Sequence, residues 1–186
     1  FAVGPLIVTA LSVIILKESV GWRRWSAITF GFVGILIILR PGINVFDPFS
    51  FIALGCAFLF ALYQILTRLV SRQDNNDTTL FYTAIIGAII LSSIGPFYYK
   101  EVATIDWLWI SIICILGVFA HMCMIKALHL AEASMLQPYS YLHLVFVSMI
   151  GVIVFNEVLE TPVIVGAIMV VSAGLYTFWR ENFKKA

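Results

Sequence analysis

Charge is what this sequence has least of. Only 11% of its 186 residues are Asp, Glu, Lys or Arg, where a soluble domain carries about 25%. The net charge is +1, so no basic surface for nucleic acid or acidic partners is implied. Cysteine is also scarce. Cys56, Cys114 and Cys123 are odd in number, lie in apolar stretches and form no CxxC pair. They read as small packing residues rather than a disulfide framework or thiolate metal site. No GxSxG, HExxH or phosphate-binding glycine loop is present, which removes the common hydrolase, metalloprotease and nucleotide signatures. What fills the space is apolar. Hydrophobic residues make up 62% of the chain and the mean hydropathy is +1.04, more than the core of a soluble domain this size can absorb.

The few charges punctuate the chain. Between them lie seven apolar runs: Phe1–Leu16, Trp25–Leu39, Phe49–Thr67, Thr78–Tyr99, Trp107–Ile125, Ala133–Phe155 and Thr161–Trp179. The runs have 15 to 23 residues and no formal charge inside, and a bilayer core of ~30 Å needs about 20 helical residues. Lipid offers the backbone no hydrogen bonds, so helices are expected, and the alternation of a β-barrel is absent. The pattern predicts an all-α, polytopic membrane helix bundle with seven transmembrane helices. Trp22 and Trp25 extend the short second run as an interfacial anchor. Phe1 opens directly into an apolar run, with no charged n-region or cleavage motif, so the chain is expected to be truncated inside a helix.

Threading seven spans sorts the basic residues. Lys17, Arg23, Arg24, Arg68, Arg72, Lys126, Arg180, Lys184 and Lys185 fall on one side, and Arg40 and Lys100 on the other. Nine against two orients the larger set, and the C-terminus, towards the cytoplasm of an inner (plasma) membrane. Tyr98, Tyr99, Trp107 and Trp109 then form an outer aromatic belt.

The ends of the chain also echo each other. Counted from Glu18 and from Glu157, small residues recur nine positions before (Thr9, Ser148), six before (Ser12, Gly151), nine after (Ala27, Gly166) and sixteen after (Gly34, Ala173). The charge bias places the two Glu residues on opposite sides, as an inverted-topology repeat requires. The stretch PLIVTALSVIILKESVGWRRWSAITFGFVGILIILRPG, Pro5–Gly42, resembles the last two helices of an EamA-type repeat, and Ala133–Trp179 resembles the same piece of a second one. The EamA proteins belong to the drug/metabolite transporter superfamily. The resemblance implies a ten-helix carrier of two inverted five-helix repeats. Residues 1–42 would close the first repeat, 43–48 link, 49–180 form the second, and 181–186 make a cytoplasmic tail.

Polar residues inside spans are costly in lipid and mark candidate sites. Ala53, Ala57 and Ala61 form a small-residue stripe, with Gln64 continuing that face and Tyr63 beside it. His121 shares a face with Gly117, Ala120 and Met124. Gln137, Pro138, Tyr139, Ser140, Tyr141 and His143 crowd one end of the sixth run. Pro138 either kinks that helix or sits in its first turn after a loop. The resemblance implies that these three spans line a central cavity, which selects Tyr63, Gln64, His121, Gln137 and Tyr141 as solute contacts. The competing readings are interhelical hydrogen bonds and an interfacial Tyr. Glu18, Pro138 and Glu157 are gate or packing elements, or, for the carboxylates, plain solvated loop charges. Small multidrug-resistance relatives of the same superfamily use an intramembrane Glu. No Asp or Glu lies in mid-span here, so the expected solute is neutral or zwitterionic: amino-acid-, nucleoside- or vitamin-like. Any proton coupling within these spans would fall to His121 or His143.

Three rivals compete. A membrane-embedded enzyme is suggested only by His129 and Glu132 at HxxE spacing, short of the ligands a metal needs. A retinal protein lacks a Lys in the last run. A structural membrane subunit has no specific signal. The expected partners are a small organic solute and the bilayer, with a homodimer compatible with both, no nucleic acid, no cofactor and no metal. One outcome tests the threading: cysteines placed beside Arg72 and Arg180 should react with an impermeant maleimide from the same side of the membrane. Reaction from opposite sides would remove it.

Overall fold

A computed structural model describes residues 3–39, 48–156, 158 and 160–183. Among the described residues every regular element is helical. They are α1 (Gly4–Leu11) with a π-turn over Ser12–Leu16, α2 (Trp22–Leu39), α3 (Pro48–Val70), α4 (Asn76–Ile94) with a 3₁₀ turn over Gly95–Tyr98, α5 (Asp106–Leu130), α6 (Ala133–Ser140), α7 (Leu142–Phe155) and α8 (Thr161–Phe183). Among the described residues the apolar runs lie largely in helix. Four helical stretches are long and apolar enough to cross a membrane: Phe51–Val70, Asn76–Tyr98, Asp106–Leu130 and Ala133–Phe155. Gly4–Leu16 and Thr161–Thr177 are shorter apolar helices. This is a helix bundle of membrane type.

Local chemistry sets the boundaries. Proline stands in the first turn of α1 and opens α3, where its missing N–H has no intrahelical partner to lose. The Asn75 side chain caps α4 by accepting from Thr78 N at 2.8 Å. Charges bound the apolar runs but do not end the helices. α3 continues past Arg68 to Val70, and α5 past Lys126 to Leu130. Long basic side chains can leave lipid while their backbone stays helical. The Arg68 guanidinium donates to Leu128 O at 2.8 Å and His129 O at 3.0 Å, neutralising free carbonyls at the end of α5. The sixth run, expected as a single span, forms one candidate span, Ala133–Phe155, in which a one-residue turn at Tyr141 divides α6 from α7.

The chain forms two compact units, Phe1–Leu66 with Glu132–Ala186, and Thr67–Ala131. In the second, α4 packs on α5, and both leave apolar side chains such as Ile89, Leu91, Ile113 and Leu116 exposed. A soluble protein would bury them; in lipid they need no cover. In the first unit, α2 and α8 share the most extensive helix contact. They run antiparallel at very short range. A Cβ built on Gly34 would lie 2.9 Å from Gly166 O, and one on Gly166 would overlap Gly34 O and the Ile38 side chain. Around this crossing Ile28, Ile35, Tyr141 and Val170 are fully or almost fully buried.

The constant offset between Glu18 and Glu157 is 139 residues. The contact of Gly34 with Val170 and that of Gly31 with Ala173 exchange under that offset, so the two contacts are repeat images. The backbone agrees: Lys17 (φ 56°) and Asn156 (φ 53°), again 139 apart, are the non-glycine residues with positive φ among those described. Each stands at a helix end, in a left-handed conformation that caps helices.

Gly166→Val should lower the thermal midpoint of detergent-solubilised protein by several degrees, because overpacking against backbone costs about 1–3 kcal/mol. Gly117→Ala, where nothing lies within 4 Å of the added methyl, should leave it unchanged or raised. Equal behaviour of the two variants would contradict the close crossing.

Candidate functional site

Two of the polar residues singled out from the sequence, Gln64 and Gln137, lie on α3 and α6 of the first unit. α6 is a short helix with two irregular ends. Ala131 (φ −134°, ψ 159°) and Glu132 (φ −59°, ψ 140°) are extended before it, and the helix is interrupted at Tyr141 before α7 begins. Pro138 lies inside it, so the Ser134 carbonyl cannot receive its usual backbone donor. Gln137 is 1% exposed. Its Nε2 donates to Ala133 O at 2.8 Å and makes a long contact of 3.4 Å with Gln64 Oε1, while its Oε1 has no partner. Of the residues singled out from the sequence, Gln64 and Gln137 are therefore brought together. Tyr63 stands beside Gln64 on α3, its ring stacked on Phe60 with centroids 6.3 Å apart.

Tyr141 takes a different direction. Its ring packs on α2, where a Cβ at Gly31 would meet Tyr141 Cδ2 at 2.7 Å, and it belongs to the apolar cluster with Ile28, Ile35 and Val170. Its hydroxyl is buried without a partner. Glycine at 31 makes room for the ring. His121 is half-buried on α5, in the other unit. Glu157 lies outside the described residues, as do Arg40 and most of the 43–48 linker.

Glu18 occupies the N-terminus of α6. Its carboxylate accepts from Ala133 N at 2.9 Å, Ser134 N at 3.0 Å and Ser134 Oγ at 2.6 Å. Arg24 donates to Glu132 Oε2 at 2.7 Å and Ser134 Oγ at 2.8 Å. The cluster joins the α1–α2 connection to the residues that open α6. It was not legible in the sequence: Arg24 read as a basic flank, Glu132 as half of an HxxE pair, and Ser134 as nothing in particular. The available signal was that Glu18, Arg24 and Glu132 all flank spans on the side richer in basic residues.

Two open grooves lie on this unit. One of about 450 Å³ runs between α7 and α8 and is lined by apolar residues such as Met149, Ile164 and Ile168, with Ser148 and Ser172. The other, about 390 Å³, lies between α2 and α8 near Ala27, Phe30 and Tyr176. Neither touches Gln64 or Gln137, and neither has the polar lining a metabolite requires.

Residues 49–179 match the EamA-like transporter family. The chain belongs to this family. It is 27% identical over 178 residues to an S-adenosylmethionine uptake transporter of Rickettsia prowazekii, covering 96% of this chain and 60% of the relative. It is 31% identical over 189 residues to a riboflavin transporter of Vibrio cholerae, covering 96% and 61%. A riboflavin transporter of Brucella anthropi is 27% identical over 187 residues, with 96% and 65% covered. The chain thus spans about three-fifths of the length of the first two of these relatives. No solved structure matches it. Membership in the EamA-like family sets the chain among transporters rather than enzymes, and Glu132, once separated from the HxxE reading, is an ion-pair partner of Arg24.

Replacing Gln137 with Leu separates a structural amide from a ligand-directed one. An unpaired buried acceptor costs ~1–3 kcal/mol, so this EamA-like protein should hold or raise its thermal midpoint when Leu takes that place. A marked fall would identify the Gln137 amide as a structural bond.

Proposed function

We propose that this chain belongs to a secondary carrier that moves a neutral, flat heteroaromatic metabolite across the plasma membrane by alternating access. The observation that carries the reading is Gln137: a fully buried amide with an unpartnered oxygen, on an interrupted helix, within reach of a second amide at Gln64. In transporters, interrupted helices are where sites form, because freed backbone and side-chain polar groups need a ligand or water to satisfy them.

The relatives narrow the class. One group is named for S-adenosylmethionine and another for riboflavin. Both solutes carry a flat ring system with amide- or amidine-like edges. A glutamine amide offers a donor and an acceptor side by side, which matches such an edge in the way Gln pairs with adenine. Tyr63 supplies an aromatic face next to Gln64. No Asp or Glu stands in mid-span on these helices, so they provide no counter-charge for a cation. That favours the neutral vitamin- or nucleoside-like solute over the sulfonium compound.

In this reading Tyr63, Gln64 and Gln137 contact the solute. Tyr141 takes part through the orientation of α6, because its ring is held against Gly31. The seven runs cross the membrane as part of a ten-helix fold with the C-terminus cytoplasmic. The repeat-related crossing of α2 and α8 supplies the pivot about which inverted repeats rock.

The test is uptake by the full-length protein in proteoliposomes, with riboflavin and S-adenosylmethionine as separate probes. Saturable riboflavin transport is expected, with Gln137→Leu reducing kcat/KM by about tenfold or more, the loss expected when a buried polar contact of ~1.4 kcal/mol is removed. Transport of S-adenosylmethionine alone would overturn the neutral-solute class. Full activity of the Leu variant would remove Gln137 from the site.

A further inference from the structure

Glu18 does not reach the Gln64–Gln137 pair, yet it holds the helix on which Gln137 stands. Several independent features converge on its carboxylate. The first is its own backbone. α1 ends in a π-turn over Ser12–Leu16, where Ser12 O accepts from Lys17 N and, at 3.2 Å, from Glu18 N. Buried Thr9 and Ser12 turn their hydroxyls back onto Pro5 O and Thr9 O, a habit that bends helices. Lys17 then adopts φ 56° and ψ 35°, which costs a lysine free energy that a glycine would not lose. Such strain persists where the surroundings demand one chain direction. Here that direction delivers Glu18 to the start of α6.

The second feature is what Glu18 meets. The N–H groups of Ala133 and Ser134 open α6 and have no partner within their own helix. The carboxylate satisfies both, together with the Ser134 hydroxyl. Charge-assisted bonds of this kind are roughly twice as strong as neutral ones, and the helix dipole adds to them.

The third is α6 itself. Eight residues are too few for a helix to be stable alone. Extended residues precede it, a single turn residue, Tyr141 (φ −73°, ψ −22°), joins it to α7, and Pro138 removes one of its own bonds. Its position must therefore come from outside contacts, and those at its N-terminus are Glu18 and, through Ser134, Arg24.

We propose that Glu18 is a positioning residue that clasps the N-terminus of α6, fixing the register of Gln137, and that opening this clasp frees α6 to swing about Tyr141 as a hinged half-helix. The consequence for transport rests on the solute site proposed above; the clasp itself does not. Arg24 supports it by holding Ser134 and Glu132 in place, so that loss of Glu18 leaves Ser134 anchored to Arg24 but the two backbone N–H groups unpaired.

The experiment uses the full-length protein in lipid nanodiscs with Cys56, Cys114 and Cys123 replaced by Ser. A single cysteine is placed at Met135, on α6, or in a separate protein at Met149, on α7. The rate of alkylation by N-ethylmaleimide is read with Glu18, Glu18→Gln and Glu18→Asp. Glu18→Gln should raise the rate at position 135 by about 3- to 30-fold, the range that loss of a helix N-cap converts to, and leave position 149 unchanged. Glu18→Asp, which keeps the charge, should recover part of the protection. An unchanged rate at 135 would overturn the clasp, and so would an equal rise at 135 and 149, which reports general loosening. Riboflavin uptake by the same variants is a separate readout. Wild-type protein that carries no riboflavin counts against the solute class, while the alkylation rates decide the clasp by themselves.

Discussion

The close antiparallel crossing of α2 and α8 is the constraint on which the first unit depends. At Gly34 and Gly166 backbone meets backbone with no room for a methyl group. Between apolar helices in lipid the usual hydrophobic gain is absent, so contact area and short distance must hold them together. Glycine supplies both. The same approach leaves a recess at Gly31 that the Tyr141 ring fills, and this ties the end of α6 to the crossing. At its other end α6 is tied to Glu18. A helix that is weak by itself is in this way suspended between two anchors, with a buried amide between them.

This arrangement sets polar chemistry against packing. Gln137, Tyr141 and Ser134 are buried, yet of their side chains only that of Ser134 is fully engaged, by Glu18 and Arg24. Gln137 Oε1 and Tyr141 OH are buried without partners. A fold optimised for stability alone would have apolar residues there. Both unsatisfied groups lie on α6 or at its C-terminal cap.

The bundle could be read from the sequence because helices in lipid are dictated locally. Among the described residues the apolar runs between charges lie in helix, and the contacts Gly34–Val170 and Gly31–Ala173 exchange under the offset of 139 residues. The boundaries were less legible. α5 passes Lys126 by a further turn, since a charge can leave the bilayer without unwinding its backbone. The candidate site was legible in part. Gln64 and Gln137 meet, but Tyr141 turns to α2, because a glycine at 31 offers its ring a buried place that sequence spacing does not reveal. Glu18, read as a gate or packing carboxylate, required the fold to show what it holds.

By itself, then, the sequence determined the helical class and the apolar stretches that become helix among the described residues. These follow from hydropathy, charge and periodicity, which act over one helix at a time. Only the tertiary structure decided that a carboxylate at position 18 would cap a helix beginning at 133, and that Arg24 would pair with Glu132. Helix caps are ordinarily supplied by the preceding few residues. When the cap comes from more than a hundred residues away, no local pattern records it, and chain folding alone brings donor and acceptor together.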